Sequence, residues 1–159
     1  MNKQAIIKKI VAQLVKELAI YVKASHAARA EATHEQSKPE NKYDTRGLEA
    51  SYLARGQSRQ AAEIEQAIEQ FNALNARKFT GKDPIDIGAL VELQTKEEQL
   101  YYFIGPRAGG TEVSHGGKEI LVITPQSPLG QQLFGKKQGD RLQITIAGAK
   151  NEYRVVSVL

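Results

Sequence analysis

The chain has 159 residues, 41% of them hydrophobic and 25% charged, which is the composition of a soluble globular protein with one domain or two small ones. No run of about 18 apolar residues occurs to span a membrane. Without cysteine there is no disulfide framework, thiol nucleophile or cysteine zinc site, and His26, His34 and His115 show no ligand spacing.

Residues 1–9 mix lysines with apolar residues and lack the uninterrupted apolar core and cleavage site of a secretory signal, so a cytoplasmic protein is expected. Net charge is +4, and its distribution is uneven. Residues 1–80 hold thirteen Lys and Arg against nine Asp and Glu, whereas residues 81–159 hold nine against nine. Residues 1–29 carry six of the basic residues and only Glu17 as an acid. Two readings stay open: a basic shaft suited to a nucleic-acid-bearing partner, or an ordinary solvated helix face.

Residues 2–33 place Ile7, Ile10, Val11, Leu14, Leu18, Tyr21 and Val22, then Ala24, Ala27, Ala28 and Ala30, at three-and-four spacing, which predicts one long amphipathic helix. The stripe shrinks to alanine toward its end, so a second helix can approach closely there. Residues 34–47 then interrupt the pattern with Pro39 and with Ser37, Asn41 and Asp44, whose side chains favour turns and caps. From Asp44 or Thr45 to about residue 77 the spacing resumes with Leu48, Tyr52, Leu53, Ala61, Ile64, Ala67, Ile68, Phe71 and Leu74, with Gly47 and Gly56 weakening the helix. Two helices of roughly 30 residues, each on the order of 45 Å long, predict an antiparallel coiled coil closed by a polar tip that displays Glu40 and Asp44.

Residues 78–84, with Gly81 and Pro84, form a connector after which the period changes from helical to alternating. Strands are predicted at 87–93, 99–104, 119–123, 142–146 and 152–158, making a compact antiparallel sheet. Between the third and fourth, Ser127 is placed as an N-cap and Pro128 as the first residue of one short helix. Gly105-Pro106-Arg107-Ala108-Gly109-Gly110 has no following helix and reads as a flexible turn, not a phosphate loop. Tyr101, Tyr102 and Phe103 alternate between two sheet faces, so at least one packs in the core.

The stretch Ser127-Pro128-Leu129-Gly130-Gln131-Gln132-Leu133-Phe134-Gly135-Lys136-Lys137-Gln138-Gly139-Asp140 resembles the C-terminal domain of the bacterial Gre-type transcription elongation (transcript cleavage) factors. The preceding coiled coil and its Glu40-Asn41 apex extend the resemblance over nearly the whole chain. It implies an α+β protein: an N-terminal antiparallel coiled-coil hairpin over 1–80 with an acidic tip near 35–46, and a C-terminal FKBP-like antiparallel β domain with one short helix over 81–159. It also implies a partner, core RNA polymerase. Ser127, Pro128 and Gly130 would belong to the docking domain, and the hairpin would enter the polymerase secondary channel.

The resemblance further implies that the chain is no free-standing enzyme and binds no cofactor alone. Glu40, with Asp44 as a second acid, would share Mg²⁺ with the polymerase active site and promote cleavage of backtracked RNA, supported at the tip by Asn41, Tyr43 and Ser37. Nascent RNA and DNA would be reached only through the elongation complex, and no membrane is involved. Three departures from the family pattern stand out. Ser37 occupies the position of a family aspartate, the second acid is shifted to Asp44, and Gln126 stands where an acid often precedes Ser-Pro. Asp44 is then either a second ligand or a helix cap, and Glu35 either a substitute ligand or a solvated residue. A regulator that occupies the channel without cleaving is the alternative, and an FKBP-like prolyl isomerase is a further one without a recognisable pocket.

Overall fold

Two long helices open the chain, α1 (Lys3–Thr33) and α2 (Arg46–Asn72), and both bury residues at heptad-like intervals. The computed structural model describes residues 1–34, 38–40 and 45–159, with Ile146 described by its backbone alone. Backbone contacts divide the chain into two compact units, residues 14–68 and residues 1–13 with 69–159.

In the first of these units α1 and α2 run antiparallel. Ser25 Oγ lies 2.7 Å from Ser58 Oγ and donates to Ala54 O at 3.4 Å, while Arg46 on α2 pairs with Glu31 on α1 nearer the apex. Beyond the buried Leu14, the interior is made of small side chains: Ser25 and Ala28 from α1, and Ala50, Ala54 and Ala61 from α2, form a buried seam. Small residues let two helix backbones approach, at the cost of burying little apolar area.

The large residues expected on that seam near the apex lie outside it. Leu48 is 55% exposed, Tyr52 60% and Leu53 54%, and Val22 is exposed as well. The heptad rhythm explains the difference. Positions 50, 54, 57–58, 61 and 64 follow a repeat of three and four, and 48, 52 and 53 fall off it. The helix α2 also stops five residues before the expected residue 77. Its last turn tightens as Leu74 N bonds Phe71 O, and Asn72 and Asn75 supply turn-forming side chains.

The second unit is a six-stranded sheet: β1 (Leu90–Gln94), β2 (Gln99–Ile104), β3 (Glu112–His115), β4 (Lys118–Ile123), β5 (Arg141–Ile146) and β6 (Ala149–Val158). Their spatial order is β3-β4-β2-β1-β6-β5. Five strands were expected; β3 is the addition. Its pair β2 with β4 is parallel while the other neighbours are antiparallel, so the sheet is mixed where an antiparallel one was expected.

One sheet face carries Val91, Leu93, Ile104, Ile123, Val155 and Val158 and is covered by the short helix α3 (Pro128–Leu133) through Leu133, with Leu129 packed beside it. The opposite face carries Phe103, whose ring centroid is 6.1 Å from that of Phe71 at the end of α2. Ile6, Ile7 and Ile10 at the start of α1 are buried in the same unit, and Lys9 Nζ donates to Ser114 O at 2.6 Å. The helix bases therefore group with the sheet by contact, whereas the hydrophobic period changes at the connector.

The turn after β2 is tied down on both sides. Gly105 N bonds Ile123 O and Gly110 N bonds Val122 O, each at 2.8 Å, which corrects its reading as a flexible turn. A Cβ on Gly105 would come 2.7 Å from the Phe71 ring and 2.8 Å from Val122, so glycine is required by close packing. As alternation demands, Tyr101 and Phe103 are buried on one face, and Tyr102 is half-buried on the other.

Candidate functional site

The apex of the hairpin begins where α1 ends. Thr33 Oγ1 donates back to Arg29 O at 3.0 Å, satisfying one terminal carbonyl, and His34 follows in an exposed position. Lys38, Pro39 and Glu40 are all exposed. On the return side Thr45 O accepts from Glu49 N at 2.8 Å, and Thr45 Oγ1 donates to the Glu49 carboxylate at 2.9 Å, so Thr45 starts α2. Glu35, Ser37, Asn41, Tyr43 and Asp44 lie outside the described residues. Glu40 is the one acid of the expected tip pair that the structure places.

The second candidate region is the Ser127 to Asp140 stretch, and each of its distinctive residues has a local physical task. Ser127 is the N-cap of α3: its Oγ accepts from Gly130 N at 3.0 Å and donates to Thr124 O at 2.8 Å. Pro128 occupies the first turn, where its missing N–H costs nothing. Gly130 is buried against the preceding turn, since a Cβ there would lie 1.8 Å from Thr124 O. Leu133 is fully buried in the core.

After α3 the chain turns twice. Gly135 and Gly139 adopt φ of 83° and 91°, a region costly for other residues, and Asp140 Oδ2 accepts from Lys137 N at 2.8 Å to close the second turn. Gly135 N and Ile85 O, then Ile85 N and Lys136 O, bind the turn to the connector at 2.9 and 2.7 Å. The motif is thus in large part a folding signature. The motif leaves some of its side chains outside: Pro128, Gln131 and Gln132 are exposed, and Phe134, one residue past the buried Leu133, is 45% exposed. Phe134 was not singled out in the sequence; an aromatic residue flanking a capped helix beside a glycine stop was the available signal.

A polar ladder crosses the sheet face opposite α3. Lys118 Nζ donates to Tyr101 OH at 2.6 Å, Tyr101 OH donates to Glu92 Oε1 at 3.2 Å, and Ser157 Oγ donates to Glu92 Oε2 at 3.0 Å. The hydrogen bond from Lys118 to Tyr101 holds the ammonium above the ordinary lysine range. On the α3 side, burial raises the Tyr102 phenol, with Tyr153 and Glu98 adding to it. Among the described residues no group of three or more His, Asp or Glu side chains could hold a metal ion. None of their helices is long and apolar enough to cross a membrane.

A helical hairpin and a six-stranded unit with one capped helix define a two-unit α+β protein. The chain belongs to the GreA/GreB family of transcription elongation factors: the family model for the C-terminal part of these factors matches residues 80–159, half of the chain. Among curated relatives, transcription elongation factor GreA of Maridesulfovibrio salexigens is 35% identical over 99 residues, covering 60% of this chain and 57% of that protein. GreA of Bartonella henselae is 27% identical over 99 residues, covering 60% and 58%. The matched stretch thus spans somewhat over half the length of these relatives. Among solved structures, Gfh1 of Thermus aquaticus is 25% identical with a TM-score of 0.41 over 95% of this chain and 94% of that one. GreA factor homolog 1 of Thermus thermophilus is 24% identical with a TM-score of 0.39 over 94% of each.

Proposed function

We propose that this protein binds core RNA polymerase through its sheet unit, extends its hairpin into the secondary channel and promotes cleavage of backtracked RNA by the polymerase's own active site. The family match over residues 80–159 carries the reading. The exposed Glu40 supports the tip's part in it. The Glu40 carboxylate is a hard oxygen donor of the kind that binds a partly hydrated Mg²⁺ together with ligands from elsewhere, so its chemistry suits a shared ion. When bound, such an ion would stabilise charge on the attacking and leaving oxygens. The chain's own contribution is to carry Glu40 on a narrow support and to hold it there. Asp44 is proposed as the second acid, with Ser37, Asn41 and Tyr43 shaping the apex.

Ser37 favours a second reading, because an aspartate is the residue expected there for cleavage. The protein would then occupy the channel and regulate polymerase without cleaving. RNA shortening in stalled elongation complexes at fixed Mg²⁺ separates the two. Cleavage by the wild-type chain that is lost in Glu40→Ala supports the first reading. Its absence in the wild type, with competition against a cleaving factor retained, supports the second. Failure to bind polymerase at all overturns both.

A further inference from the structure

The six-residue helix α3 closes only one part of its sheet face. Leu100 and Tyr102 on β2 and Leu121 on β4 lie on that same face, by alternation from the buried Ile104 and Ile123, yet stay half-buried. They floor a cavity of about 530 Å³ whose rim carries Glu98, Glu112 and Glu119. Glu112 on β3 pairs across to Leu121, and Glu119 stands two residues before it on β4. All three acids are exposed, and none of their carboxylates has a hydrogen bond or an ion pair among the described residues. Lys118 also borders the cavity, but its side chain turns to the opposite face, where Nζ bonds Tyr101 OH. A sheet face is ordinarily closed by a layer of helices or a second sheet, and α3 begins that layer without completing it.

A surface of opposite character lies on α1. Val15, Lys16, Ala19, Val22 and Lys23 follow the helical period on the side away from the buried Leu14, Ser25 and Ala28, and all five are exposed. Val15 is 50% exposed, and Ile20 beside this stripe is 66% exposed. Lys16 and Lys23 stand two turns apart, about 10 Å along the helix axis. Apolar residues flanked by lysines on a helix are the complement of an apolar floor rimmed by glutamates.

We propose that these two surfaces bind each other between two copies of this chain, the outer stripe of α1 from one copy lying in the acid-rimmed groove of the other. The occupant is a helix because it continues the layer that α3 begins, and a basic one because the rim is acidic. Val15, Ala19 and Val22 cover Leu100, Tyr102 and Leu121, while Lys16 and Lys23 face the rim carboxylates. The apolar floor supplies most of the affinity, and the exposed charges fix the partner and its direction. In a two-fold pair each copy gives one stripe and one groove, so the contact is made twice. The inference concerns the protein on its own and does not rest on polymerase binding.

The test is sedimentation equilibrium of the full chain from about 1 µM to about 1 mM at low salt. Wild type is expected to pass from monomer to dimer within that range, with added salt weakening the pairing. Glu119→Lys and Lys16→Glu, both at exposed positions, should each raise the dissociation constant about tenfold, because each sets like charges against one another. An equal mixture of the two variants restores opposite charges in one contact and keeps the native pair in the other, so it should recover to within about threefold of wild type. A chain that stays monomeric throughout overturns the proposal; if that monomer binds a lysine-rich helical peptide of unrelated sequence, the groove belongs to another partner. Dimerisation untouched by both reversals overturns the choice of surfaces. Reversals that weaken it without recovery in the mixture overturn the pairing of α1 with the groove.

Discussion

Ser127 and Gly130 are bound to each other through a geometry that admits no side chain at the second. The Ser127 hydroxyl accepts from Gly130 N at 3.0 Å, and a Cβ on Gly130 would lie 1.8 Å from Thr124 O and 2.7 Å from that same hydroxyl. Gly130→Ala therefore forces the cap and the preceding turn apart, with an expected loss of about 3 kcal/mol or more in denaturant unfolding. Ser127→Ala removes the cap and the bond to Thr124 O without forcing the backbone apart, at about 1 to 2 kcal/mol. If Gly130→Ala is as stable as wild type, the close approach described here is wrong.

The same segment shows what could be read in the chain before its fold was known. Ser127, Pro128 and the glycine stop are local signals, and α3 falls where they put it. The strand β3 escaped because its four residues bury only Val113 and show no sustained alternation. Its signal was the turn: Gly116 and Gly117 have φ of 61° and 73°, the pairing expected of a tight two-residue hairpin between β3 and β4. That β2 pairs with β4 in parallel is a long-range choice that local periodicity does not encode. In the hairpin, hydrophobicity pointed to Leu48, Tyr52 and Leu53, but register chose alanines. The exposure of Phe134 was hidden by its neighbour Leu133, since two adjacent apolar residues carry no local sign of which one the core takes.

The hairpin joining β5 to β6 turns at Ala147 and Gly148, with φ of 51° and 80°. Both central residues are left-handed, which alanine tolerates poorly and asparagine tolerates well. Ala147→Asn is expected to raise stability by roughly 0.5 to 1 kcal/mol, and Ala147→Val to lower it by at least as much. Thermal unfolding of the two variants should move in opposite directions. Movement in the same direction would contradict the turn geometry.

Between the helices, Ser25 and Ser58 share a hydrogen bond of 2.7 Å in a seam otherwise built of alanine. Ser25→Ala leaves the Ser58 hydroxyl without that partner and should cost about 1 kcal/mol. Removing both hydroxyls leaves nothing unsatisfied, so the double variant should cost less than the sum of the two single ones. A double-mutant cycle on chemical unfolding reads this directly. Strict additivity would mean that the pair contributes no coupling.

Lys3 ties stability to pH. Its amine titrates near 8 in the folded chain, chiefly through burial, against an ordinary value of 10.5. Between those values the unfolded chain binds more protons than the folded one, so this group makes stability rise with pH across that window and leaves it flat below about 8. Lys3→Met should abolish the rise while lowering stability overall, because Arg77 O and Gly88 O lose a donor. The measurement is the difference in unfolding free energy between wild type and variant from pH 7 to 10.5. That difference should narrow at the acid end and widen toward the alkaline end; a constant difference would refute the assignment.

Leu133 and Phe134 are neighbours with opposite surroundings, 0% and 45% exposed, and this separates folding from binding at the motif. Leu133→Ala opens a cavity in the core between α3 and the sheet and should cost about 2 to 5 kcal/mol. Phe134→Ala should change stability by about 0.5 kcal/mol or less, since half of its ring already faces water. Large aromatic side chains that stay exposed beside a rigid element are well suited to anchor a partner. Under the proposed function, Phe134→Ala should therefore weaken binding to core RNA polymerase by about tenfold, an effect of about 1.4 kcal/mol. Gln132→Ala, an exposed change on the same helix, should weaken it much less. Binding of purified, folded variants to core polymerase decides the matter. Unaltered affinity in Phe134→Ala would move the docking surface away from this helix and return the motif wholly to its role in folding.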